Sequence, residues 1–369
     1  MSTDVAKLLK LLTETAGPSG NESRISQAIE EIWRPFVDSI ESDRVGSLIA
    51  VKKGSAPTPR PRLLLAAHMD EIGLMVKKLV AHPDDEKGSG FLRMTQVGGV
   101  DVRHLLGQTV LVHGSGASEL TFAGIVGSLP SHMLPESKSN IALGYDELLI
   151  DVGLPYRYMV EQINVGDFIS FRQPLRKLLN QRVTGKALDN RASVAAVTLC
   201  LEYLQDRRHD WDVVAVATAQ EEITLLGAFT SAFSQSPDAA IAIDVTFGTG
   251  PGAKDEETFK LDEGPTIGLG PNFHPGIYAA LNDAAARIEM KVHTESNWYA
   301  GGTDAYGLQV ARRGIPTGLV SIPLRYMHTM VETLATRDVK RAGRLLAEFV
   351  AGLNEGFLDE IALKMMGKE

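Results

Sequence analysis

Cysteine is almost absent: Cys200 is the only one in 369 residues. A single thiol cannot close an intramolecular disulfide, so the chain suits a reducing compartment and is expected to be cytoplasmic. Cys200 lies in the apolar stretch VAAVTLCLEYL and reads as a small core residue, not a catalytic thiol. Long hydrophobic runs are missing too. No stretch approaches the ~20 apolar residues that a membrane-spanning helix needs. Asp4, Lys7 and Lys10 interrupt the N-terminal pattern where a secretory leader would be continuous. Positive charge is in deficit, with 37 Lys and Arg against 46 Asp and Glu and a net charge of −9. That balance argues against nucleic acid, because phosphate binding takes clustered basic residues. No internal repeat or low-complexity segment is found.

What is present is an ordinary globular composition, 44% hydrophobic, at a length that accommodates two domains of ~150 residues. Residues 5–12 and 24–36 carry helical periodicity, separated by the break AGPSGNES. VGSLIAVKKG and LLLAAHMD read as strands. From Gly73 to about Gly166 the texture changes to short β-like runs punctuated by glycine: LMVKKLV, FLRMTQV, TVLVHG, TFAGIVG and LLIDVG. That is the pattern of a small all-β sandwich or barrel. Beyond it, helical ALDNRASVAAVTLCLEYLQD, strand WDVVAVATAQEE, helical LLGAFTSAF and strand AAIAIDVTF follow. Helical IYAALNDAAARIEM, strand TGLVSIPLRYMH and helical RDVKRAGRLLAEFVAGLN complete the order. Alternation of this kind predicts an α/β fold with a mostly parallel sheet flanked by helices. The expected division is a discontinuous α/β domain over 1–71 and 165–369, with an inserted β domain over 72–164.

Polar clusters stand where apolar strands end: His68 and Asp70 after LLLAA, Glu221 and Glu222 after VVAVATAQ, Asp244 after AAIAI, and His328 after SIPLRYM. Asp189 precedes a helix. In open α/β sheets, ligands bind outside the carboxyl ends of the strands. Each residue alone has a plainer reading, as a hydrogen-bonded histidine, a helix-capping acid or a solvated loop acid. Together they form a set too large for one catalytic zinc, which takes three protein ligands. Two ions sharing a carboxylate would fit. Such a pair can activate water and stabilise an oxyanion. Adjacent side chains on extended backbone point apart, so one of Glu221 and Glu222 can ligate while the other acts as base. The residues themselves leave open which does which.

The chain resembles the glutamyl-aminopeptidase and TET-type family of co-catalytic metallopeptidases. The resemblance rests on PSGNE (18–22), AAHMDEIG (66–73), GKALDNR (185–191), QEEITLLGA (220–228), AIDVTFG (242–248), GGTDA (301–305) and RYMHTMVE (325–332). VGGVD at 97–101 and LLGQTV at 105–110 fall in the inserted region. The resemblance implies one metal on His68, Asp189 and Asp244, and another on Asp189, Glu222 and His328. It implies Glu221 as general base and Asp70 as the partner of His68. It further implies zinc or cobalt, peptide substrates with a free N-terminus, a cis bond between Asp189 and Asn190, and subunits paired through the insert into hollow dodecamers. Three positions depart from the family pattern: ITLLGA after the paired glutamates, His293 in place of glutamine, and Ala300 before GGTD.

Three other readings use the same residues. A deacylase, dipeptidase or carboxypeptidase would share the metal set and differ in its pocket. A glycosidase built on Glu221 and Asp244 would leave both histidines idle. A metal-stabilised assembly protein would not need a spare base such as Glu221.

Overall fold

The structure, a computed structural model, describes residues 3–82, 85–133, 143–298 and 301–365. Ala300 lies outside the described residues. An eleven-stranded mixed sheet forms the larger layer system. Its centre is parallel, in the order Asp212–Thr218, Arg62–His68, Ala239–Phe247, Thr317–Arg325. Antiparallel strands extend both flanks.

The central strands are continuous apolar runs because both of their faces are covered. Leu63, Leu65, Ala67, Val213, Ala215 and Ile241 pack into one hydrophobic layer, which includes the helices Leu188–Tyr203 and Thr336–Gly352. Their alternate neighbours Leu64, Ala66, Val214, Val216 and Ala242 pack into the other, against Ala228, Ala305 and Leu308. The twofold strand period thus divides each run between two cores. Among the described residues, no helix is long and apolar enough to cross a membrane.

A six-stranded antiparallel barrel is inserted after Arg62–His68, the first of the central strands in sequence. It closes in the order Gly73–His82, Asp85–Val97, Leu149–Pro155, Thr121–Gly127, Thr109–His113, Phe168–Phe171. Leu74, Val76, Leu92, Met94, Val110, Val112, Ile150 and Ile169 fill its interior. The closing strand Phe168–Phe171 pairs with both Gly73–His82 and Thr109–His113. Barrel pairing therefore extends beyond residue 164, and Gly166 (φ 98°) turns the chain into the last barrel strand.

Three local expectations change. The strand expected to run through Glu222 stops at Thr218, and Glu221 and Glu222 open the one-turn helix Glu221–Thr224 after Gln220 at φ 58°. The strand expected to reach His328 stops at Arg325. Arg62–His68 ends before Asp70. In each case only one or two apolar residues (Met69, Ala219, Tyr326 and Met327) follow the end of the strand before the polar residues turn out of the sheet.

Candidate metal centre

The sheet register sets the first part of the site. Ala66 pairs with Ala242, so His68 and Asp244, each two residues on, stand at the same level on neighbouring strands. Thr218 pairs with His68 and delivers the Glu221–Glu222 turn beside it. Asp189 enters from a sharp turn, with Ala187 left-handed and the Asp189–Asn190 peptide cis. His328 comes from the loop between Thr317–Arg325 and Glu332–Ala335, itself at φ 60°.

All five residues expected to hold metal converge. His68 Nε2 lies 3.2 Å from Asp189 Oδ1, 3.7 Å from Glu221 Oε2 and 4.0 Å from Asp244 Oδ1. His328 Nε2 lies 3.5 Å from Asp189 Oδ2 and 3.5 Å from Glu222 Oε2. Asp189 therefore directs one oxygen at each histidine. Ligand atoms of His68, Glu221 and Asp244, and of His68, Asp189 and Glu222, are grouped closely enough to share an ion. Glu221 is nearer to His68 than Asp244 is, so distance alone does not separate base from ligand.

Two buried carboxylates lock these segments together. Asp70 lies 3.4 Å from His68 Nδ1 and accepts the backbone amides of Glu221 at 3.1 Å and Glu222 at 3.2 Å. Glu332 accepts the amide of His328 on one oxygen and that of Asp189 on the other, each at 3.0 Å. Two more acids hold the surroundings. Glu22 Oε1 accepts from Gly20 at 2.7 Å and from Gln220 at 3.1 Å. Asp304 accepts the Thr218 hydroxyl at 2.5 Å. Glu332, Glu22 and Asp304 sit in the RYMHTMVE, PSGNE and GGTDA segments without a sequence-level role. The available signal was an acid next to buried apolar residues, as in VETLA.

The electrostatics favour cations. Burial, followed by the charge of Asp189, pushes the Glu222 carboxyl up to about 8. Burial pushes Asp304 up to about 6. Glu221, Asp244 and Glu332 are raised well above the usual carboxylate range, again by burial first and then by neighbouring acids. The hydrogen bond to Asp189 lifts His328 to about 9 against its burial. Burial disfavours charge on His68, but Glu221, Asp189 and Asp70 together raise it well above its ordinary value. Burial also acts against the Asp189 charge, yet bonds from His328 and His68 hold its carboxyl low. Burying this many acids around two imidazoles is costly unless positive charge stands among them. Divalent cations would supply it, and a mixed imidazole–carboxylate donor set suits them.

His293, a departure from the family pattern, and the matching GGTD run can both be placed. His293 begins an edge strand paired to Thr266–Leu269, its ring 6.1 Å from Phe259. The GGTD run turns through Gly301 (φ 69°) and caps the helix Asp304–Gln309 through Thr303.

A helix-flanked sheet with histidines and acids at its carboxyl edge, carrying an inserted antiparallel barrel, defines a class of peptidases. The chain belongs to the M42 glutamyl aminopeptidase family, whose model matches residues 46–345. It is 33% identical to the lysyl aminopeptidase of Pyrococcus furiosus over 343 residues, 92% of this chain and 94% of that one. Its fold matches the TET aminopeptidase of the marine sediment archaeon Thaumarchaeota archaeon SCGC AB-539-E09 with a TM-score of 0.88 and 28% identity, covering 97% and 98% of the two chains. It also matches the Pyrococcus horikoshii TET1 peptidase, which can assemble into a tetrahedron or a large octahedral shell. There the TM-score is 0.81 and the identity 29%, over 95% of this chain and all of that one. The protein is a peptidase of aminopeptidase type.

Proposed function

We propose that the protein removes the N-terminal residue of peptides with two divalent ions, zinc or cobalt. One is held by His68, Asp189 and Asp244, the other by Asp189, Glu222 and His328. The observation that carries this reading is the position of Asp189, with Oδ1 3.2 Å from His68 and Oδ2 3.5 Å from His328. A carboxylate with one oxygen toward each imidazole is placed to bridge. Bound there, the ions would polarise the scissile carbonyl and lower the pKa of water.

Glu221 takes the proton of the attacking water and returns it to the leaving amine. Its carboxylate is almost fully buried beside His68, 3.7 Å from Nε2, where a general base has to stand to reach that water. Asp70 orients His68 and, through the Glu221 and Glu222 amides, the base itself. A glycosidase would leave His68 and His328 without a task.

In this reading the peptidase domain is 1–71 with the chain that follows the closing barrel strand Phe168–Phe171. The barrel pairs subunits, and the pairs build a dodecamer in the cytoplasm. Exposed apolar residues on the barrel, Leu106, Leu120, Ile125 and Leu129, offer a surface for pairing.

The experiment is a panel of aminoacyl anilides and N-acetylated peptides, run on chelated and metal-reconstituted protein with elemental analysis. Two metal equivalents and turnover of free N-termini alone are expected. Full activity at one equivalent, or preference for the acetylated peptides, would defeat the proposal. Light scattering that shows a fully active monomer would defeat the assembly.

A further inference from the structure

We propose that the barrel completes the metal site that carries His328. In this role the Gly98–Gly99 turn is a backbone buttress that positions the His328 imidazole and the Glu222 side chain. The inference rests on the reading above, in which those two residues hold the second ion.

The turn lies against both side chains. A Cβ built on Gly99 would fall 2.5 Å from His328 Nδ1 and 2.9 Å from its Cε1. One built on Gly98, where φ is +77°, would fall 2.9 Å from Ile72 Cγ2 and 3.3 Å from Glu222 Cβ. At Gly99 the contacts to the imidazole are closer than real Cβ atoms make, so only glycine allows the main chain to approach the ring this way, while the 3.3 Å contact of Gly98 to Glu222 is tight. The two side chains unique to the second ion thus both lie against the turn.

The buttress is itself held. It follows directly on the barrel strand Asp85–Val97. The Val100 carbonyl accepts the Tyr145 hydroxyl at 3.0 Å, and the Val100 amide bonds the Gly98 carbonyl at 3.0 Å. Asp101 then caps the short helix Val102–His104. From the other side, Met330 of the His328 loop is buried in the barrel core with Ile72 and Val100. The His328 side chain is 39% exposed, so an unbuttressed ring has room to swing outward. His68 and Asp244 stand on strands of the central sheet, and the added Cβ atoms meet neither. The two ions therefore differ in what supports them. One depends on the sheet, the other on the barrel.

The test compares three variants in full-length protein: Gly99→Ala, His328→Ala and Gly127→Ala. Gly127 is also in the barrel, but a Cβ there meets nothing within 4 Å. Metal-free protein is titrated with Co(II) alone and followed by visible absorption, with elemental analysis after desalting. Gly99→Ala is expected to weaken one class of ion by about 10–100-fold, the range seen when a ligand's support is removed. The other class should be unchanged, and melting temperature and assembly should match Gly127→Ala. If His328→Ala loses an ion while Gly99→Ala binds both normally, the buttress is refuted and the ligand assignment stands. If His328→Ala also binds both normally, the ligand assignment fails and the inference with it. Should Gly99→Ala fail to fold, Tyr145→Phe removes the tether without adding atoms. It must weaken the same class several-fold, and normal binding of both ions by that variant overturns the proposal.

Discussion

Glu332 accepts the backbone amide of His328 at 3.0 Å, while its other oxygen holds the amide of Asp189 at 3.0 Å. One buried side chain thus sets the spacing of two loops, and its bond to Asp189 spans 143 residues of sequence. Glu332→Gln keeps the shape but turns an N–H donor toward one of those amides. Metal affinity and kcat/KM should each fall by about 10–100-fold with the fold retained. Circular dichroism together with a metal titration checks this. Unchanged affinity would show that the loops hold their spacing without Glu332.

The glutamate doublet separates base from ligand. Glu221→Gln should lower kcat by about 10²–10⁴ and leave both metals in place, because Gln cannot accept the proton. Glu222→Gln should lose one ion and recover part of its rate at high metal concentration. Rates and metal contents measured on both variants decide between the roles. The reverse pattern would exchange them.

Lys186 Nζ is 2.5 Å from Glu71 Oε2, and both side chains are almost fully buried. The pair lies between Asp70 and the turn that carries Asp189. Glu71 also accepts the Gly17 amide at 3.0 Å and faces Arg191. Lys186→Met removes the closer cation and leaves the carboxylate buried, which typically costs about 3–5 kcal/mol. Thermal unfolding should fall by several degrees. A double variant, Lys186→Met with Glu71→Gln, should recover part of the loss. A single variant as stable as wild type would show that Arg191 alone suffices.

His113 joins the barrel to the N-terminal helices, with Nε2 2.8 Å from Ser170 Oγ and Nδ1 3.5 Å from Arg24. Burial, then the Arg24 charge, pushes its imidazole down to about 4 from an ordinary 6.5. A depressed folded value means that the unfolded chain takes up the proton first as pH falls. The stability from this residue is therefore full above about pH 6.5 and is lost as pH drops toward 4. Allowing for the ring's partial exposure, the loss is about 1–2 kcal/mol. Urea unfolding at pH 7 and pH 4.5 should show a smaller drop for His113→Asn than for wild type. Equal drops in both would place the acid sensitivity elsewhere.

Sequence pattern alone was enough for much of the architecture. Continuous apolar runs such as LLLAA and VVAVA can be stable only when both faces are covered, which dictates a parallel centre between helices. Glycine-spaced short runs required a separate β unit. His68, the Glu221–Glu222 pair, Asp244 and His328 stood out because polar residues after buried strands gather at one edge of such a sheet; Asp189 stood out before a helix, and the choice of Glu222 over Glu221 as ligand came from the family resemblance. Tertiary structure decided what periodicity cannot encode. Ladder pairing ended the strands at His68, Thr218 and Arg325, and so turned Glu221 and Glu222 into a helical turn. Residues distant in sequence supplied the clamps, because Glu332, and Asp70 apart from its contact with His68, hold backbone amides, which have no residue-type signature. The contact between Gly99 and His328 was hidden for the same reason: a glycine at a close approach is defined by what lies opposite it, and only the folded chain puts the imidazole there.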